Sequence, residues 1–223
     1  MRFRNVAIAL LATMAPFTFA ADKDVEALLK QLRENYQSVK SVRFEVLATT
    51  ARTGGDENPL TSVVEYRAPM SFRIVTTAKS MPSGKNLTVI SDGKRLYTKP
   101  PAGEVTTKAL NLDDAGAFIN LEGLCFWDYK RQLSTAKGAN MNESQLRLLK
   151  HETWKGADFM VLEEKAPKSN VFVRYYIDPK TKFIMRTAVY GLEDTAQVVG
   201  DYRITKIDMK AVVPASAVKI PGT

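Results

Sequence analysis

One amphipathic helix ahead of a long series of alternating segments constrains the fold of this chain most strongly. Asp22 to Val39 is predicted to form the helix, because its apolar residues recur at the three- and four-residue spacing of one helical face. These residues are Val25, Leu28, Leu29, Leu32, Tyr36 and Val39. Ser41 to Thr49 then alternates apolar and polar side chains, which is typical of a half-buried β-strand. A helix with a single apolar face needs a broad apolar surface to cover, and a sheet supplies one.

The segments after the helix predict an antiparallel sheet in two parts. Six β-segments in succession run from Ser41 to Ala109 and are joined by tight turns, as in a β-meander. Asp113 to Leu124 has helical spacing instead, and predicts an insert that continues into aromatic residues up to Tyr129. Strands resume after it and end with Ala196 to Met209, which an extended tail over Pro214 to Pro221 follows. We expect roughly nine to eleven strands with the first helix on one face.

Two hairpin turns are marked by short polar sequences. Asp92-Gly93 separates two strand-like segments and is a dipeptide preferred in type I′ turns, in which both central residues need a positive φ. Asp178 to Lys182 separates two runs of β-branched and aromatic residues within Val171 to Gly191. Aspartate can bond to the backbone ahead of it and proline presets φ for a turn, so this stretch is predicted to be a β-hairpin.

The first residues have the pattern of a secretory signal peptide. Arg2 and Arg4 precede an apolar run from Val6 to Ala15, and Thr18-Phe19-Ala20 supplies small residues at the third and first positions before a cut. The run is too short for a membrane span, and the alternative is a buried N-terminal helix. We expect cleavage after Ala20, a signal peptide over residues 1–20 and a single exported domain over residues 21–223, located in the periplasm.

The charge of the chain favours some partners over others. Removing a leader that holds two arginines and no acidic residue reduces the net charge from +8 to +6. A moderately basic exported protein favours anionic lipid or lipopolysaccharide surfaces, although scattered lysines and arginines are equally typical of a merely soluble surface. Nucleic acid is disfavoured as a partner by the expected compartment and by the lack of a basic cluster.

The chain has few residues suited to catalysis or to metal binding. Its only cysteine, Cys125, lies among apolar residues and is predicted to be a buried thiol. Its only histidine, His151, alternates with charged residues in a strand-like segment and is predicted to be a surface residue. No P-loop, GxSxG, HExxH or GxGxxG pattern occurs. We therefore expect a protein that is not an enzyme and that carries no metal and no cofactor.

Four motifs in order carry a resemblance to a known family. They are Pro69 to Arg73, Ser91 to Tyr97, Tyr176 to Thr181 with Arg186, and Val213 to Ser216 with Ile220-Pro221. Together with the opening helix, they make nearly the whole chain resemble the LolA-like family, the periplasmic carriers of outer-membrane lipoproteins and their relatives. The sequence departs from that family at Lys182, where the family usually has glycine.

The resemblance implies an α+β fold of a particular shape. This is an incomplete (half) antiparallel β-barrel, a strongly curved sheet whose concave face is covered by helices, with an apolar cavity that takes acyl chains. The helical insert up to Tyr129 would act as the lid. Seven apolar residues are the candidates for the cavity wall: Phe44, Phe72, Leu96, Phe118, Ile119, Phe126 and Trp127. The alternative for each is a place in a packed core, because alternate strand residues must be buried somewhere.

The expected function is that of a periplasmic, non-enzymatic carrier or binding protein for lipid or lipid-modified protein cargo. Its partners would be a lipid or acylated lipoprotein and a membrane-surface, inner-membrane or outer-membrane protein, and it would act as a monomer in outer-membrane biogenesis. An envelope sensor or regulatory module that binds lipid or misfolded lipoprotein through the same scaffold is the alternative. A lipid-processing enzyme is a further one, for which His151 would be the only obvious base.

Overall fold

The computed structural model describes residues 23–50, 57–68, 70–82, 84–110, 146–149, 151–165, 170–191 and 197–222. These residues form one α-helix, α1 (Lys23–Ser38), and twelve β-strands. The first six strands are β1 (Ser41–Thr50), β2 (Leu60–Arg67), β3 (Ser71–Ala78), β4 (Leu87–Asp92), β5 (Arg95–Lys99) and β6 (Thr106–Ala109). The others are β7 (Leu146–Leu148), β8 (Glu152–Trp154), β9 (Ala157–Lys165), β10 (Val171–Ile177), β11 (Ile184–Gly191) and β12 (Val198–Asp208).

All the strand pairs are antiparallel and build one sheet. Its order is β6-β5-β4-β3-β2-β1-β12-β11-β10-β9-β7, and β8 pairs with β9 beside this path. The two predicted meanders therefore exist, and the pair β1–β12 joins them into a continuous sheet. The prediction of nine to eleven strands was wrong, because twelve occur among the described residues. The predicted helical insert lies outside them.

The helix covers one face of the sheet. Five apolar side chains of α1 are at most 3% exposed: Val25, Leu28, Leu29, Leu32 and Tyr36. The Tyr36 hydroxyl accepts a hydrogen bond from the backbone N–H of Ile184 at 3.0 Å, and its ring packs edge-on against Phe183 with the centroids 5.0 Å apart. We call the side of the sheet that faces α1 the helix face and the other side the outer face. The predicted helix on one side of a large antiparallel sheet is confirmed.

Two local predictions need correction. The turn at Asp92-Gly93 is not type I′, because only Gly93 has a positive φ, of 88°. Asp92 itself holds the turn instead, since its Oδ1 accepts hydrogen bonds from the backbone N–H groups of Lys94 and Arg95. The predicted extended tail contains a 3₁₀ helix over Ala215–Val218. Its residues Val218 and Ile220 are buried at 4% and 2% exposure, because this segment packs against β2, β3 and β4.

The β10–β11 hairpin has the predicted turn and places a lysine in a strained conformation. Asp178 Oδ1 accepts hydrogen bonds from the backbone N–H groups of Lys180 and Thr181, so the aspartate organises the turn as expected. Lys182 has a φ of 55°, which lies in the left-handed region that favours glycine. This is the position at which the sequence departs from the LolA-like pattern. The lysine here adopts the backbone conformation that glycine favours.

Lys182→Gly is expected to raise the free energy of unfolding by about 1 kcal/mol, because glycine adopts this φ without the steric cost that lysine carries. The contact of Lys182 Nζ with Met160 Sδ at 3.3 Å would be lost, which offsets a small part of the gain. Urea unfolding of both proteins measures the difference. Lys180→Gly in the same turn is the control, because Lys180 has no positive φ and its change to glycine should be neutral or destabilising. A destabilised Lys182→Gly variant would contradict the prediction.

Candidate functional site

The helix face carries one continuous apolar cluster, which we call the helix-face cluster. It consists of the buried apolar residues of α1 together with those that β1–β5, β7 and β9–β11 direct towards the helix. Phe44, Phe72 and Leu96 belong to it and are 2%, 1% and 0% exposed. Strands on both sides of β1 contribute, because side chains alternate along each strand and the antiparallel register keeps equivalent positions on one face. The structure thus brings together three of the seven predicted cavity residues.

The other four predicted cavity residues, Phe118, Ile119, Phe126 and Trp127, lie outside the described residues. The same holds for Cys125 and for the whole predicted lid from Asp113 to Tyr129. Their part in a cavity wall therefore stays a prediction.

Methionines lie at the margin of the helix-face cluster, and we call them the methionine margin. The sequence pattern did not indicate them. Met70, Met160, Met185 and Met209 are partly buried and pack against it, half of the eight methionines in the chain. A thioether side chain without branches can adapt to irregular or changing neighbours, which is why methionine is common at surfaces that accept varied apolar partners. Four isolated methionines have no characteristic spacing, so only the folded structure shows that they share this position.

Three buried hydroxyl groups on the helix face are hydrogen-bonded within the protein, those of Ser62, Thr76 and Ser91. The hydroxyls of Ser62 and Thr76 are buried and hydrogen-bonded to each other at 3.0 Å. The hydroxyl of Ser91 donates to the carbonyl oxygen of Met70 and accepts from the N–H of Gly93. Burial raises the pKa of Tyr66, so its phenol is neutral across the physiological range. This face is therefore chemically suited to apolar groups.

A second apolar cluster lies on the outer face of β9–β11, where we had predicted no site. Its rings are closely arranged: Phe172 stacks on Tyr190 with centroids 4.9 Å apart, and Phe159 meets Tyr176 edge-on at 6.2 Å. Trp154 of β8 also reaches this cluster and lies over the guanidinium groups of Arg186 on β11 and Arg203 on β12, with the ring centroid 4.8 and 5.9 Å from the two carbons. Since β12 is three strands away from β9, the β8–β9 hairpin must fold over the outer face.

Arginines and carboxylates are paired within the outer-face cluster. Arg186 is 9% exposed and makes two hydrogen bonds to Asp201, at 2.9 and 3.1 Å, while Arg203 binds the same carboxylate at 2.9 Å. Burial lowers the pKa of Arg186, but the hydrogen bonds and the charge of Asp201 outweigh it and the net pKa is raised. Arg174 donates to Glu163 at 3.0 Å in the same way. These pairs satisfy the charged groups of the cluster within the protein and leave it little capacity for an added ligand.

Few of the described residues offer catalytic or metal chemistry. His151 is exposed and stands next to the outer edge strand β8. In the described ranges, histidine, aspartate, glutamate and cysteine nowhere gather in a group of three or more that could hold a metal ion. Within those same ranges, no helix has the length and hydropathy needed to cross a membrane.

Solved structures with the same fold exist, although no family model matches the sequence and no curated protein matches it either. MucB matches over 90% of this chain with a TM-score of 0.56 and 16% identity, and an uncharacterised conserved protein from Thermus thermophilus matches over 90% with a TM-score of 0.56 and 12% identity. The complex of MucA with MucB from Pseudomonas aeruginosa matches over 88%, with a TM-score of 0.52 and 13% identity. A LolA superfamily protein from Nitrosomonas europaea matches over 88%, with a TM-score of 0.40 and 13% identity.

These likenesses concern the fold. The chain spans 64% of the MucB chain but 96% of the Thermus protein. The sequence motifs indicated LolA-like proteins, and a LolA superfamily protein is among the solved structures that this chain matches. At identities of 12–16% for the first three matches, cargo and partners do not follow from it.

Proposed function

We propose that this protein is a periplasmic, non-enzymatic binding protein whose helix-face cluster takes acyl chains of a lipid or of lipid-modified protein cargo. In this proposal the leader is removed after Ala20 and residues 21–223 form one domain that acts as a monomer, without a cofactor. The helix-face cluster with its methionine margin is the observation that carries the proposal. Each methylene that passes from water into such a cluster contributes about 0.8 kcal/mol, so an acyl chain needs few polar contacts to bind.

The dimensions of the sheet support a curved shape around the helix. The 16 residues of α1 span about 24 Å at 1.5 Å per residue, whereas eleven strands side by side span about 48 Å in a flat sheet. Register shifts interrupt the pairs β1–β12, β10–β11 and β11–β12, and such irregularities bend strands. We therefore infer a half-barrel that curves around α1, with Phe44, Phe72 and Leu96 on its concave side.

The proposed cavity wall includes the residues that sequence analysis placed there. Phe44, Phe72 and Leu96 supply the sheet side, next to the helix. Phe118, Ile119, Phe126 and Trp127 are proposed to complete the wall as parts of a lid, since an insert between two meanders has to return across a face of the sheet.

A sensor is the second candidate, and one comparison favours it. MucB, one of the structures with the same fold, has been solved in complex with MucA. A sensor would form a stable complex with a partner protein, whereas a carrier releases its cargo to an acceptor. Because the chain spans only 60–64% of the MucB chains, we place the carrier first. Affinity purification from envelope extract distinguishes the two, since only a sensor should retain one partner in stoichiometric amount.

Polar replacement of two methionines tests acyl binding. Met70→Gln combined with Met160→Gln is expected to weaken binding of a fluorescent fatty acid by about thirtyfold, because each change removes on the order of 1 kcal/mol of apolar contact. Both side chains are partly buried at the margin of the cluster, so the fold should survive. Fluorescence titration measures the Kd, and thermal unfolding monitors the fold.

Met81→Gln is the matched control, because Met81 lies in the β3–β4 connection and not against the helix-face cluster. It should bind the probe as the unaltered protein does. A natural protein that binds no acyl probe, or a double variant with unchanged Kd, would contradict the proposal. Lipase, esterase and phosphatase assays are expected to show no turnover, and activity lost in His151→Ala would favour the enzyme alternative.

A further inference from the structure

One end of the sheet combines four cationic side chains with the most exposed large apolar side chain of the described residues. Lys40 precedes β1, Arg43 lies within it, Arg67 ends β2 and Lys210 follows β12, and all four are exposed. The strand register brings them to the same end, because Ser41 pairs with Arg67 and Arg43 pairs with Asp208. Val212 is 88% exposed beside them. We call these residues the cationic end.

The backbone around Val212 is held in place. The N–H of Val213 donates to the hydroxyl of Ser41 at 2.9 Å, and its carbonyl oxygen accepts from the guanidinium of Arg67 at 3.3 Å. Val213 itself is buried at 4% exposure. Val212 is therefore fixed in an outward position rather than placed on a free tail. Its contact with water is unfavourable in free energy, and covering the side chain with another apolar surface would remove that contact.

A cavity opens beside the valine. It has a volume of about 360 Å³ and lies between residues 38–41, at the end of α1, and residues 209–211, after β12. Lys40 and Lys210 line it from the two sides, and Ser41 adds a hydroxyl group, whereas the hydroxyl of Ser38 already donates to the carbonyl oxygen of Asn35 at 2.7 Å. This set of donors suits a phosphate or another compact anionic group.

The charge of this end is strongly unbalanced. Two acidic residues lie near it: Asp208, whose Oδ1 accepts the backbone N–H of Lys210, and Glu65, which lies opposite Arg43 in the β1–β2 register and forms an ion pair with Arg73 at 3.3 Å. The four cations therefore outnumber the nearby carboxylates, one of which is already paired with Arg73. The next cation along β12, Lys206, is close to Glu45 at 3.8 Å and belongs to the neighbouring part of the sheet.

We propose that the cationic end is a docking surface for an anionic lipid bilayer. A lipid phosphate would occupy the cavity between Lys40 and Lys210, and Val212 would enter the region between headgroups and acyl chains. Each lysine or arginine near an anionic membrane surface strengthens binding about fivefold. A bilayer fits better than a protein partner, because lysine is depleted in protein interfaces and a single aliphatic side chain does not form an interface core.

The docking surface also adjoins the proposed acyl site. Val39 and Met209 line the cavity, and they belong to the helix-face cluster and its methionine margin. The cavity thus lies between the outside and the apolar layer. Docking on a bilayer does not require cargo binding, so the two proposals succeed or fail in different assays.

Vesicle flotation with the processed full-length protein tests the docking surface. The protein is expected to bind vesicles of phosphatidylcholine with phosphatidylglycerol and to ignore pure phosphatidylcholine, with binding falling as salt screens the charges. Lys40→Gln with Lys210→Gln should weaken the partition about thirtyfold. Val212→Ser should weaken it about tenfold and leave the salt dependence unchanged, because it removes apolar contact and no charge.

Matched variants at other places separate a local site from a general charge effect. Lys99→Gln with Lys180→Gln removes the same charge from exposed positions elsewhere, and Val105→Ser changes a valine that is 51% exposed next to β6. Both should bind vesicles within about twofold of the natural protein. Thermal unfolding should be the same for all variants, since every replaced side chain is exposed.

Three results would overturn the proposal. The first is equal binding to neutral and anionic vesicles, and the second is equal weakening by the matched variants. The third is failure to bind vesicles together with a concentration-dependent dimer that Val212→Ser abolishes, because the surface would then join two copies of this chain. Loss of vesicle binding in the Lys40→Gln and Lys210→Gln double variant, with an unchanged Kd for fatty acid, supports the docking surface and leaves the acyl-site proposal unaffected.

Discussion

Replacement of Asp201 by asparagine is expected to lower the free energy of unfolding by about 3–5 kcal/mol, because it leaves the buried charge of Arg186 without its carboxylate. Arg186 is held by two hydrogen bonds to Asp201 and by the rings of Trp154 and Tyr176, 4.8 and 4.7 Å from its guanidinium carbon. Asparagine has nearly the same shape, so the loss reports on charge rather than on packing. Arg203, which binds the same carboxylate, would lose this ion pair as well.

Urea unfolding followed by circular dichroism measures this loss. Arg147→Gln is the control, because it breaks an ion pair with Glu163 in which the arginine side chain is 69% exposed. An exposed pair contributes at most about 1 kcal/mol, so the control should remain close to the unaltered protein. A loss below 1 kcal/mol for Asp201→Asn would mean that the outer-face cluster is open to water and that its arginines are available to a ligand.

Replacement of Phe72 by alanine is expected to destabilise the unliganded protein by about 3–5 kcal/mol, because it removes a ring that is 1% exposed and leaves a cavity. Phe72 lies opposite Tyr66 in the register of β2 and β3, within the helix-face cluster. If this cluster takes acyl chains, a bound fatty acid should fill part of the new space. Saturating ligand should then raise the Tm of the variant more than that of the natural protein.

Phe159→Ala is the matched control for this experiment. Phe159 has the same side chain and is 7% exposed, but it belongs to the outer-face cluster. Its replacement should destabilise the protein without altering the Tm shift that fatty acid causes. Equal Tm shifts for both variants and the natural protein would indicate that the helix-face cluster is a closed core.

The sequence predicted the elements that depend on local pattern. The helix was expected from Asp22 to Val39 and runs over Lys23–Ser38, because its apolar residues repeat with helical spacing. The turn at Asp178 was expected because aspartate bonds to the backbone ahead of it, and it does so. Lys182 stands where the LolA-like pattern has glycine, and its φ of 55° is a backbone conformation that glycine favours.

The parts that depend on distant contacts were not predicted. Apart from Arg174, the run VFVRYYI in β10 is apolar or aromatic on both sides, so its pattern does not show that both sides are covered, one by α1 and the other by the folded β8–β9 hairpin. Arg186 was noted only as part of a motif, since its partner Asp201 stands on another strand and no local spacing connects the two. The methionine margin and the cationic end likewise arise from residues that are distant in sequence and adjacent in the sheet.

Native mass spectrometry of the protein purified from the envelope of its own cells tests the central claim most directly. The account predicts a bound acyl-containing mass on the natural protein, which dissociates on activation and which competing fluorescent fatty acid displaces. The Met70→Gln and Met160→Gln double variant should carry much less of it, and the Met81→Gln variant should carry the same amount. A folded protein that shows only its own mass, beside a lipid-binding control that keeps its ligand, would contradict the claim.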